Sequence, residues 1–192
     1  MPELDALTLF AVWGIILLAS ILRAFTGFGF ALAAMPIFAQ VLPPAQAVVL
    51  SASLSFGIGV VSAHSYISLI PRRVLWPMTA AALVGTYLGA SILMRLAPEQ
   101  FLLGIGLAVI TACVILSLYQ PQPNGGGLFG SATRGLVSGL LNGTFAIPGP
   151  PAIVYALMSQ PDPARARALL LGFFTLSALA ALSIFAYRGL VG

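Results

Sequence analysis

Apolar residues run almost without pause along this chain. Stretches at 4–22, 31–42, 45–70, 74–94, 99–119, 132–158 and 166–187 hold few polar groups. None alternates apolar with polar residues in the period-two manner of a barrel strand. A hydrocarbon layer about 30 Å thick takes about 20 helical residues to cross at about 1.5 Å each, and several stretches reach that length. The pattern therefore predicts an all-α polytopic membrane protein. Prolines punctuate it: Pro43 with Pro44, Pro71, Pro98, Pro121 with Pro123, and Pro161 with Pro163 fall between runs, where a missing N–H costs little.

Two interruptions do not fall between runs. Residues 26–30, TGFGF, and residues 142–151, NGTFAIPGPP, lie inside apolar stretches. Around them the chain repeats its own order: an interrupted segment, a proline-bounded turn and a long apolar helix come both before and after the polar stretch QPQPNGGGLFG. Gly27 then aligns with Gly143, Pro36 with Pro151 and Ala45 with Ala164. This divides the chain into a first repeat over 1–119 (a broken helix plus three spans), a linker over 120–131, and a second repeat over 132–192 (a broken helix plus one span). The second repeat is incomplete on this reading: either this is a shortened version of the fold, or a second copy of the chain or a partner chain supplies the missing helices.

Charge gives the repeats an orientation. The eight basic residues are all arginine, set against four acids, for a net charge of +4. If each interrupted segment is a helical hairpin that returns to its own side, a cytoplasmic Arg72 and Arg73 put Arg134, Arg165 and Arg167 there as well. Arg95 and Arg188 then fall outside, with Glu3 and Asp5. If each segment crosses once, Arg165 and Arg167 move outside. The excess of cytoplasmic arginine favours hairpins, and an odd number of net crossings per repeat makes the two repeats inverted. The first arm, 4–22, is long enough at roughly 28 Å to cross most of the layer by itself.

Composition sharpens the class. Hydrophobic residues make up 60% and charged residues 6% of the 192 positions, and the mean hydropathy is +1.07. A pI near 9.8 in a soluble protein would suggest nucleic acid, but these arginines stand singly or in pairs at the ends of apolar runs, so no nucleic-acid partner is expected. The single cysteine, Cys113, reads as a small core residue, and Tyr66, Trp76 and Tyr119 read as interfacial anchors. His64 reads as an interfacial histidine, though imidazole chemistry would also suit proton coupling. An acidic start, MPELD, does not resemble a cleavable signal. Neither a metal cluster nor a nucleophile with its base is recognisable, so no cofactor and no enzymatic activity are expected.

The candidate chemistry lies at the interruptions. A helix broken in lipid frees backbone groups that only protein or a water-lined hollow can satisfy. Freed helix N-termini offer N–H donors and a partial positive charge, a combination suited to an anion. Arg23 would supply charge, and Thr26, Asn142, Thr144 and Tyr155 hydrogen bonds. Gly27, Gly29, Gly143, Gly149 and Pro150 would shape the breaks, with second arms starting after Gly29 and after Pro150. Competing readings are that Arg23 snorkels to an interface and that Gly135, Gly139 and Gly143, like Gly85 and Gly89, serve close helix packing.

The stretches RAFTGFGFALAAMPIF and GLVSGLLNGTFAIPGPPAIVYAL resemble the paired glycine and proline motifs of the TauE/SafE family of bacterial membrane transporters. That family's G-x-x-GPP-x-x-x-Y pattern appears between Thr144 and Tyr155, with Phe145, Ala146 and Ile147 in place of small residues. The resemblance implies export of a small anion, such as sulfite or an organosulfonate, across the bacterial inner membrane. It also implies about eight spans, two more than this chain holds. A passive anion channel and a non-transporting subunit that needs a partner are the alternatives.

Overall fold

The computed structural model describes residues 6–118 and 127–190, and every regular element among them is helical. Eight α-helices follow in order: α1 (Ala6–Thr26), α2 (Phe30–Val41), α3 (Pro44–Val61), α4 (Arg72–Leu93), α5 (Pro98–Leu118), α6 (Leu128–Phe145), α7 (Gly149–Ser159) and α8 (Pro163–Tyr187). Four of them, α3, α4, α5 and α8, are long and apolar enough to cross a membrane. Glu3, Asp5, Tyr119 and most of the 120–131 linker lie outside the described residues.

Proline sets several of the helix starts. Pro44, Pro98 and Pro163 each open a helix, where the missing N–H would have had no intrahelical acceptor. At α8, Asp162 caps the end by accepting from the Ala164 N–H at 3.0 Å. The apolar run 45–70 does not continue as one helix. After Val61 the chain makes two short 3-10 turns, Ala63–Ser65 and Ile67–Leu69, before Pro71.

Helix α8 is the axis of the bundle, with 67% of its span buried against 17% for α5. It lies antiparallel to α3: Gly59 faces Thr175, while Pro44 and Ala45 share a surface crevice with Leu190. Its interior passes the start of α4, where Gly172, the tenth residue of α8, meets Ile70 and Leu75. Outside this core, Leu17, Leu18 and Phe25 of α1 and Leu103, Leu107 and Ile110 of α5 face outward. Such a belt is an aggregation liability in water and an ordinary boundary in lipid.

The tightest seam joins α4 to α6, which run parallel. Gly135, Gly139 and Gly143 face the backbone of Met78, Ala82 and Thr86, and in return Gly85 and Gly89 face the carbonyls of Leu136 and Leu140. With no excess of water entropy to gain, helices in a bilayer associate through such close approach. Asn142 and Thr144 lock the seam from α6: Asn142 Nδ2 stands 3.5 Å from Thr86 Oγ1, and Thr144 Oγ1 donates to the Gly89 carbonyl at 3.2 Å. The packing reading of these glycines is the one the structure bears out.

Two side chains depart from the sequence reading. Tyr66 is buried rather than interfacial; its hydroxyl donates to the Gly59 carbonyl at 2.9 Å and lies 3.1 Å from Thr175 Oγ1. Cys113 faces outward on α5 and is not a core residue. Both errors have one cause, since lipid and protein interior are equally apolar. Trp76 and His64 are exposed, as interfacial residues should be.

A methyl added at Gly139 would stand 2.7 Å from the Ala82 Cα, whereas one at Gly106 meets nothing within 4 Å. Gly139→Ala is therefore expected to cost about 1–3 kcal/mol through overpacking. Gly106→Ala should be neutral or add up to about 1 kcal/mol through helix propensity. Thermal unfolding of the two detergent-purified variants, side by side, checks the contrast.

Candidate functional site

Both interruptions end one helix and start another. At the first, Gly27 and Gly29 take left-handed backbone conformations (φ 83° and 95°) that a side chain would strain. Thr26 closes the turn: its Oγ1 lies 2.8 Å from the carbonyl oxygens of both Leu22 and Phe28 and accepts from the Phe28 N–H at 3.2 Å. Arg167, from α8, grips the same end of α1 by donating to the Ala24 carbonyl, and its Cγ lies 3.0 Å from where a Gly27 Cβ would stand. Helix α2 then starts at Phe30 as expected.

The second interruption lies within the 142–151 stretch of the sequence reading but is shorter than it. Helix α6 continues through Asn142, Gly143 and Thr144 and ends at Phe145. Ala146 turns the chain with φ 54°, and its N–H reaches the Asn142 carbonyl at 2.8 Å. This is a left-handed cap made without glycine. Ile147 N–H adds a 3.3 Å bond to the Leu141 carbonyl, and Ser138 Oγ donates to the Pro148 carbonyl. Helix α7 begins at Gly149, before Pro150 rather than after it, because proline suits the first helical turn.

The two interruptions meet at one cavity of about 30 Å³, between the helices. Arg23, Phe28, Gly29 and the opening residues of α2 line one side of it. Asn142, Ala146, Pro148 and Gly149 line the other, while Ser55 of α3 and Phe174 and Ala178 of α8 complete the wall. Of the residues singled out from sequence, Arg23, Gly29, Asn142 and Gly149 thus come together. Thr26 and Gly27 shape the first turn from behind, Gly143 and Thr144 sit in the seam with α4, and Pro150 and Tyr155 are buried in α7 away from the cavity. Arg134 lies over the Tyr155 ring, 5.5 Å from its centroid, at the far end of α7. A second, larger crevice of about 530 Å³ opens between α4, α5 and α6 and is walled by Leu103, Leu140 and Phe145 among others.

Arg23 is the chemical centre of the small cavity. Only 2% of it is exposed, and neither Nε nor Nη2 finds a hydrogen-bond partner among the described residues. Snorkelling would have left its head group in water, so that reading fails. Next to it the first N–H groups of α2, from Phe30, Ala31 and Leu32, have no preceding helical carbonyl to bond. Across the cavity Asn142 is 3% exposed, with Nδ2 donating to the Ser177 carbonyl at 3.0 Å. Helix α7 offers less, since Pro150 and Pro151 carry no N–H. An unpaired guanidinium beside unpaired amide donors can receive a negatively charged oxygen, and few other ligands.

Sequence reasoning missed Ser55, Phe174 and Ala178, which look like ordinary members of apolar runs, and the grip of Arg167, which comes from a residue 143 positions away. Ala146 also escaped it, because a left-handed alanine has no sequence signature. An L-residue there carries a penalty of roughly 1 kcal/mol. Ala146→Gly should raise the unfolding midpoint by roughly 3 °C, and Ala146→Val should lower it, in melts of the detergent-solubilised protein.

No curated protein and no solved structure matches the chain. A family model, Sulfite exporter TauE/SafE, matches residues 12–192, a range that takes in both interruptions and every residue of the cavity wall. The chain belongs to the TauE/SafE sulfite exporter family of membrane transporters.

Proposed function

We propose that this protein carries a small anion, such as sulfite or an organosulfonate, out across the bacterial inner membrane, binding it in the cavity between the two interruptions. The observation that carries this reading is Arg23, buried with two unpaired nitrogens beside the free amides of α2. Holding an arginine at the centre of a bilayer costs about 3 kcal/mol on insertion scales, and a bound anion offsets that cost.

The contacts between elements support an inverted-repeat carrier. Arg167 and Gly27 bring the end of α1 to the Arg72 end of the bundle, while Pro43 and Pro44 bring the chain after α2 to the Leu190 end. The pair α1 and α2 is then a hairpin inserted from the Leu190 side. On the other side, the contacts of Gly135 with Met78 and of Arg134 with Tyr155 and Met158 make α6 and α7 a hairpin inserted from the Arg72 side. Helices α3 and α8, which follow the two hairpins, are antiparallel, as inversion requires. Arg72, Arg73, Arg134, Arg165 and Arg167 gather at one end and Arg95 and Arg188 at the other, which makes the Arg72 end cytoplasmic.

Room for roughly two waters is too little for a hydrated oxyanion, so this conformation is a closed one. Transport requires the halves to part around the cavity, first on one side and then on the other.

Replacing Arg23 separates a functional role from a structural one. Arg23→Met keeps the volume and removes an unpaired buried charge, so it should leave stability unchanged or raised. In proteoliposomes loaded with sulfite it should reduce efflux at least tenfold. Efflux equal to that of the unaltered protein would take Arg23 out of the mechanism, and a collapse in stability would make it a structural residue.

A further inference from the structure

The cavity's charges can be counted. Besides Arg23, its wall is made of neutral groups: aromatic rings, small apolar side chains, Ser55, Asn142 and backbone amides. The acids among the described residues stand elsewhere. Glu99 is exposed at the start of α5, and Asp162 is exposed at the start of α8, where it pairs with Arg165 at 3.8 Å. His64 is exposed on the turn after α3. Tyr66, on the same turn, donates its hydroxyl to the Gly59 carbonyl at 2.9 Å and is not part of the cavity wall. From α8, Arg167 approaches the end of α1; its Nη2 donates to the Ala24 carbonyl, its Nε is buried without a partner among the described residues, and it is not part of the cavity wall.

From this inventory we infer that the protein moves a singly charged anion by itself, driven by the membrane potential and uncoupled from proton movement. The inference rests on the transport reading above. One guanidinium neutralises one negative charge, so the loaded cavity carries no net charge through the low-dielectric middle of the membrane. A dianion would leave one charge uncompensated there, which is disfavoured as any unpaired buried ion is. The wall holds no carboxylate or imidazole to pick up a proton on one side and release it on the other. Each cycle therefore exports one negative charge. A potential of 100 mV, negative inside, then supports a concentration ratio of about fifty-fold for a monoanion.

Methanesulfonate and sulfate are suitable probes, because both are tetrahedral and keep a fixed charge, single and double, around neutral pH. The full chain is reconstituted in liposomes, and a potassium gradient with valinomycin clamps the potential. The expected result is that methanesulfonate distributes about fifty-fold toward the outside at 100 mV, negative inside. It should remain evenly distributed under a pH gradient at zero potential, and sulfate should move at least tenfold more slowly. Methanesulfonate that moves but ignores the potential, or that accumulates with the pH gradient, overturns this inference and leaves the transport reading intact. Sulfate moving as fast as methanesulfonate overturns the single-charge selectivity. If neither probe moves and sulfite does not move either, the transport reading falls and this inference falls with it.

Discussion

A peptide group inside hydrocarbon has no water to turn to, and this constraint governs the whole molecule. Where α1 stops and α2 starts, the amides of Phe30, Ala31 and Leu32 lose their helical acceptors in a place solvent cannot reach from the side. The surroundings are arranged to answer that. Thr26 bonds the turn locally, Arg167 satisfies a carbonyl at the end of α1, and the free amides are gathered around a cavity that also holds Arg23. At the second interruption Ser138, Asn142 and Leu141 do the same work for Pro148, Ala146 and Ile147. Two nitrogens of Arg23 remain without a partner among the described residues, and they lie beside the free amides of α2 at this cavity.

The carrier proposed above needs one part of the protein to hold still while another moves. The α4–α6 seam has the character of the fixed part. Five glycines bring the two backbones into direct contact, and buried polar side chains cross-link them. Helix α1 is held differently, with a broad outward apolar face and a polar grip from Arg167 at its end. Tight backbone contact resists sliding, whereas a lipid-facing helix held at its tip has freedom to tilt.

Much of the fold was legible in the sequence, for reasons that also mark the limit. Runs of apolar residues bounded by proline give the number of long helices, because length and hydrophobicity are what a bilayer selects. The same runs cannot say which side of a helix faces protein. By position Tyr66 looks like an interfacial anchor yet is buried, and Cys113 looks like core yet faces out. The break at Gly27 and Gly29 was placed correctly because left-handed backbone needs glycine. The second break is narrower than the interrupted stretch suggests, since Gly143 packs inside α6 and the turn itself uses an alanine. Arg23 stood out because a charge in an apolar run demands an explanation. Arg167 did not, because at a helix start it looked like any surface arginine.

The pair Pro150 and Pro151 breaks the symmetry that the two hairpins otherwise suggest. Proline makes a rigid, well-aimed start for α7 but removes two of its amide hydrogens, so the free backbone donors lie on the α2 side of the hollow and Asn142 is the polar side chain opposite them. An ion seated there would cling to one half of the molecule and merely slide past the other. The repeats would then have divided their labour, with one acting as the hand that holds the cargo and the other as the smooth wall it travels along.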